Sequence, residues 1–193
     1  MMKFIVIIVL SLLFSAKQSD AYSKLKQFVK ETKSMELDFV EVKSSKILKE
    51  PIKKTGKLYF SGENIKWITN SPEKSILIIT KEKSQIKIGT EAPKSIKNFD
   101  AVKHLMKGLV KGDAFDSPNF NTTFKRKGNT FIVTAIPNQA RMKKYISKIE
   151  LIFNSSTDLM TNMHMFQTNG GTINYTFSNH KRNQKMSDQT FKF

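Results

Sequence analysis

The chain has 193 residues, 39% of them hydrophobic, and its 33 lysines and arginines outnumber 16 acidic residues to give a net charge of +17. That apolar content excludes a disordered chain, and the length suits one domain rather than two thin ones. With no cysteine in the sequence, a disulfide scaffold, a thiolate metal site, a cysteine nucleophile and a cysteine-linked lipid anchor are all excluded.

Met1-Met2-Lys3 is a short basic start, and Phe4 to Phe14 is an almost purely apolar run of 11 residues. Ser19-Asp20-Ala21 then places small residues around a cleavage position before Tyr22. The run is too short to cross about 30 Å of hydrocarbon, so residues 1–21 are expected to be a cleaved secretory signal peptide and 22–193 a single exported domain. Such a domain without disulfides fits a bacterial periplasm better than a eukaryotic secretory route. The mature chain would keep a charge of +16. Only three basic residues (Arg126, Arg141 and Arg182) are arginine, so part of the charge reads as a compositional preference for lysine.

The mature region opens with a helix for which Ser23 is the expected N-cap and Leu25, Phe28, Val29 and Thr32 the apolar stripe. The period then changes to two. Met35, Leu37 and Phe39 alternate with Glu36 and Asp38, and strands are predicted at Gly56–Ser61, Ile65–Asn70, Ser75–Thr80 and Gln85–Ile88, with turn residues between them. Gly89–Lys97 is a polar connection. Phe99, Val102, Leu105, Met106, Leu109 and Val110 mark an amphipathic helix, with Gly112 just past its end. Strands resume at Asn119–Lys125, Asn129–Ile136, Tyr145–Phe153, Leu159–Gln167 and Thr172–Ser178, with a last piece at Gln189–Phe193.

The expected fold is mainly β with helices: an antiparallel sheet of eleven strands. Two strands are apolar on both faces. Phe131, Val133 and Ala135 oppose Ile132 and Ile136, and Ile149, Leu151 and Phe153 oppose Ile146 and Ile152. A flat meander with one wet face would not look like this, so the sheet should curl around an apolar interior or be covered by helices.

Several segments carry a family resemblance. Ser34-Met-Glu-Leu-Asp-Phe-Val-Glu41 follows the first helix. Gly56-Lys-Leu-Tyr-Phe60, Asn64-Ile-Lys-Trp67 and Ser71-Pro-Glu-Lys-Ser-Ile-Leu-Ile78 come next, and Gly171-Thr-Ile-Asn-Tyr-Thr-Phe177 and Thr190-Phe-Lys-Phe193 lie near the end. The chain resembles LolA-type periplasmic carriers of outer-membrane lipoproteins. The resemblance implies a curled, unclosed barrel with a helical lid over an apolar cavity. It also implies acyl-chain cargo received from an inner-membrane lipoprotein-releasing transporter and passed to an outer-membrane receptor. The family commonly has an Arg-Pro pair between the strands that here end at Phe60 and begin at Ile65; this chain reads Ser61-Gly62-Glu63-Asn64 instead. Lys66 is the candidate substitute cation, for the lid or for a lipid head group, although lysine lacks the planar fork of arginine.

The expected cavity lining is Met35, Leu37, Phe39, Leu58, Phe60, Trp67, Ile78, Met163 and Met165, and the expected lid surface is Val102, Leu105, Met106 and Leu109. Methionine suits a site that adapts to flexible chains, and Met160 adds to this set. His104, His164 and His180 sit in no metal-ligand spacing, and no nucleophile elbow, phosphate loop or paired-acid motif is present. No metal, cofactor or enzymatic activity is expected, and the protein should be a monomer that binds no nucleic acid. The alternative reading is a basic exported module that binds an anionic polymer or lipid head groups without acyl cargo. It would need aromatics interleaved with basic residues on an exposed face, whereas the strand aromatics here mostly alternate with Asn, Thr and Ser.

Overall fold

The structure, a computed structural model, describes residues 20–96 and 118–193. The expected signal segment, apart from its last two residues, and the expected lid helix with Val102, Leu105, Met106 and Leu109 lie outside the described residues.

Helix α1 (residues 20–30) precedes β1 (Ser34–Ser44), β2 (Ile52–Ser61), β3 (Asn64–Ser71), β4 (Ser75–Ile79), β5 (Ser84–Ile88) and β6 (Lys94–Ser95). The second stretch holds β7 (Phe120–Lys127), β8 (Thr130–Pro137), a helical turn α2 (Ala140–Lys143), β9 (Ile146–Asn154), β10 (Met160–Gln167) and β11 (Thr172–Arg182). A 3-10 turn at Asp188–Phe191 follows. Each stretch is an antiparallel meander, and β1 joins them by pairing with both β2 and β11. The result is one sheet of eleven strands with β6 and β7 at its two ends, so the curl does not close.

Three local expectations need correction. Ser23 lies inside α1 rather than capping it. The eleventh strand is β6, in the predicted connection; it pairs only through Gln85–Ser95 and Ile86–Lys94, too short a ladder to leave a periodic signal. Gln189–Phe193 is not a strand, because Thr190 N–H donates to Ser187 O and Lys192 N–H to Gln189 O, which satisfies the backbone locally.

The pairing register sorts side chains into two faces. Met35 lies opposite Phe60, Leu37 opposite Leu58, Phe60 opposite Ile65, and Leu58 opposite Trp67, so these residues share the concave face. On the other limb, Met163 pairs with both Leu151 and Tyr175, Leu151 with Val133, and Phe153 with Phe131. The core therefore fills the concave side, with Ile149 at 0% exposure and Leu151 at 1%. α1 supplies the cover by burying Leu25 completely and packing Ala21, Tyr22 and Val29 on the same cluster. Among the described residues, the second apolar face of β8 and β9 has no such cover. Ile132 pairs with Ile152 and both stay half-buried, while Ile136 is 46% exposed.

Gly56 is where the curl requires a missing side chain. It pairs with Phe39, and a Cβ built there would stand 1.8 Å from Ile68 O and 2.7 Å from the Phe39 ring. With that space open, the Phe39 ring lies across the strand and reaches Trp67, 4.7 Å away between ring centroids.

Candidate functional site

The apolar concave face contains a cavity of about 80 Å³ between α1 and the sheet. Met35 and Leu37 of β1, Leu58 and Phe60 of β2, and Trp67 of β3 form one wall. Leu151 and Phe153 of β9, Met163 of β10 and Phe177 of β11 form the opposite wall. Phe28, Val29 and Thr32, at and just beyond the end of α1, cover it, and Asp158, Leu159, Met160 and His180 complete the lining.

Six of the nine expected lining residues thus meet around one space: Met35, Leu37, Leu58, Phe60, Trp67 and Met163. Phe39 stands behind the wall, 2% exposed, supporting Trp67. Met165 shares the concave face and packs on the core but does not reach the cavity. Ile78 points the other way. It pairs with Lys66, one residue off the parity of Ile65 and Ile79, and so lies on the convex face.

Lys66 is on that convex face too, away from the cavity it was expected to latch. Its Nζ donates to Lys192 O and ties the C-terminal 3-10 turn to β3, and burial holds its pKa below the usual lysine value. A groove of about 380 Å³ opens there beside Ile78, Phe191 and Phe193. It is the larger space, but Lys81, Glu82, Lys83, Asp188 and Lys192 also line it. An acyl chain there would displace water from charged groups, which is unfavourable. The smaller cavity is the more apolar of the two.

Two features of the site had no legible signal in the sequence. The first is a bulge in β11: Asn179 adopts φ +54°, and the β1–β11 register shifts between Glu36 and Asp38. The extra residue turns His180 into the cavity wall. The second is Arg182, which anchors α1. Its Nε donates to Thr32 Oγ1 at 2.7 Å, its Nη2 donates to Phe28 O at 3.2 Å, and its guanidinium lies 4.1 Å from the Phe28 ring centroid. A cation at a helix C-terminus completes orphan carbonyls and matches the helix dipole. By contrast, Phe28 and Val29 were legible from the helical spacing.

Behind Trp67 lies an aromatic cluster closed by a buried polar pair. Tyr175 sits 5.4 Å from Trp67 and 6.0 Å from Phe177 between centroids. Burial, reinforced by the charge of Glu41 beside it, pushes the Tyr175 hydroxyl far above the usual tyrosine range. Among the described residues, no group of His, Cys, Asp and Glu is arranged to hold a metal. No helix among them is long and apolar enough to cross a membrane.

No curated protein is significantly similar in sequence. Among solved structures, a DUF1329 family protein from Desulfovibrio piger aligns with a TM-score of 0.52 at 10% identity, covering 92% of this chain and 96% of that one. A LolA superfamily protein from Nitrosomonas europaea aligns at 0.51 and 7% identity, covering 91% and 97%. MucB aligns at 0.51 and 10% identity over 92% of this chain and 63% of its own. At such identities these likenesses establish the fold. Residues 30–193 match the family described as outer membrane lipoprotein carrier protein LolA. The match covers most of the chain, and the protein belongs to that family.

Proposed function

We propose that the protein is a non-enzymatic periplasmic carrier that holds the acyl chains of lipoproteins or related lipids in the concave cavity and moves them from the inner to the outer membrane. The observation that carries this reading is a cavity whose walls are apolar apart from Thr32, Asp158 and His180. The energetics support a carrier. Each acyl CH2 left in water costs about 0.8 kcal/mol, so a long chain costs roughly 10 kcal/mol and does not diffuse free. Met35, Met160 and Met163 give the lining side chains that adapt to a flexible ligand.

At about 80 Å³ the cavity is closed down; pockets that bury drug-sized ligands run to roughly 300–1,000 Å³. Loading therefore requires α1 to move off the sheet, with Arg182 as the contact that must yield. In this reading the donor is an inner-membrane lipoprotein-releasing transporter and the acceptor an outer-membrane receptor. The exported form starts at Tyr22 after loss of a signal peptide and acts as a monomer.

Native mass spectrometry of gently purified protein tests the proposal. The expected spectrum has adducts at the masses of acyl lipids, lost when Phe60 is replaced by Asp. A lipid-free spectrum, together with no uptake of added fatty acyl ligand, would overturn it.

A further inference from the structure

Three polar residues line this cavity: Thr32, Asp158 and His180. Thr32 is already satisfied, since its hydroxyl donates to Phe28 O at 2.9 Å and accepts from Arg182 Nε. His180 Nε2 lies 2.9 Å from Met160 O. A carbonyl only accepts, so Nε2 donates there and that bond is already made. Asp158 is the one carboxylate in the lining, and among the described residues nothing donates to it.

The turn that carries Asp158 does not use its carboxylate. Asn154 Oδ1 accepts from Ser156 N–H at 2.9 Å and Thr157 N–H at 3.1 Å, and Asp158 contributes only its backbone N–H, bonded to Asn154 O. Its φ of +56° needs a residue that tolerates the left-handed region, a role that asparagine fills without a charge. The carboxylate is therefore an addition to the turn rather than part of it. It also carries a cost, because burial pushes its pKa above the ordinary carboxylate value. Arg182 is engaged with Thr32 and the end of α1.

We propose that the cavity selects acyl ligands whose polar end carries a hydrogen-bond-donating cationic nitrogen, an ammonium group, received by the Asp158 carboxylate. This rests on the carrier reading and adds to it the chemistry of the head group. It runs against the long-range field, since a chain of charge +17 attracts anions. A preference for ammonium would therefore have to come from the site itself.

The test is calorimetric titration of the purified protein, and of its Asp158→Asn variant, with dodecylammonium, dodecanol and laurate below their micelle concentrations. Moderate salt is included to screen the global charge. Asparagine keeps the turn, and far-UV circular dichroism checks that the sheet is intact. The expected result is that the variant loses about tenfold in affinity for dodecylammonium, the order of one hydrogen bond to a charged group, while dodecanol binding is unchanged. If the parent binds all three ligands and the substitution changes none of them, or all equally, the head-group assignment is wrong and the carrier reading stands. If the parent binds none, the carrier reading fails and this inference with it.

Discussion

The two walls of the cavity are built differently. The β1–β3 wall is regular: its ladder shifts only beside Gly56, and its lining residues are all apolar. The β9–β11 wall is irregular. Register shifts occur at Met160/Asn162 and Phe166/Gln167, a bulge lies at Asn179, and this wall brings Asp158, Met160 and His180 to the site. Regular pleating can only repeat one face, so the first wall supplies hydrophobic area. Irregular pleating re-aims single side chains, so the second wall supplies the polar groups and Met160 in addition to its apolar area.

The largest effect expected from this contrast is on stability. Phe39→Ala removes a ring that fills the space over Gly56 and supports Trp67, and should cost about 3–5 kcal/mol in denaturant unfolding. Met160→Ala, at the half-exposed start of β10, should cost about 1 kcal/mol. Equal costs would break the distinction between a structural wall and an adaptable one.

A smaller effect is expected at the anchor between the second wall and α1. Arg182→Ala should destabilise by about 1–3 kcal/mol and raise amide hydrogen exchange in α1 well before the sheet. Arg182→Lys should restore only part, because lysine cannot serve Thr32 Oγ1 and Phe28 O with one planar fork. Uniform exchange across the molecule would mean that α1 does not open separately.

The smallest effect concerns Asp158. Because burial raises its pKa, the folded state keeps this proton to a higher pH than the unfolded chain does. Stability is therefore lost as pH rises from the ordinary carboxylate value of about 3.9 through the raised folded value. Asp158→Asn should be more stable than the parent at pH 7, by a fraction of a kcal/mol after solvent screening, and equal to it below about pH 4. A variant that is less stable at pH 7 would show that the carboxylate has a structural partner after all.

The same contrast explains what the sequence made legible. The first wall follows from period-two alternation in Met35–Phe39 and Leu58–Phe60, which pairing preserves. Ile78 was misplaced because β4 is apolar on both faces, Ile76 and Ile78 against Leu77 and Ile79, so alternation carries no inward sign there. Lys66 followed it to the convex face by the parity of the same ladder. On the second wall, a single left-handed residue at Asn179 changes which side chain faces inward, and no hydrophobic period records that. Arg182 was one of three arginines in a lysine-rich chain. Its contact with α1 spans 154 residues of sequence, beyond any local pattern.

The central claim, that acyl chains occupy the space between these walls, is tested most directly by photo-crosslinking with a diazirine-bearing fatty acyl ligand and mapping the adducts by peptide mass spectrometry. The account predicts adducts on both walls, at residues such as Met35, Leu58, Met163 and Phe177. Adducts confined to the convex groove around Ile78 and Phe191 would contradict it.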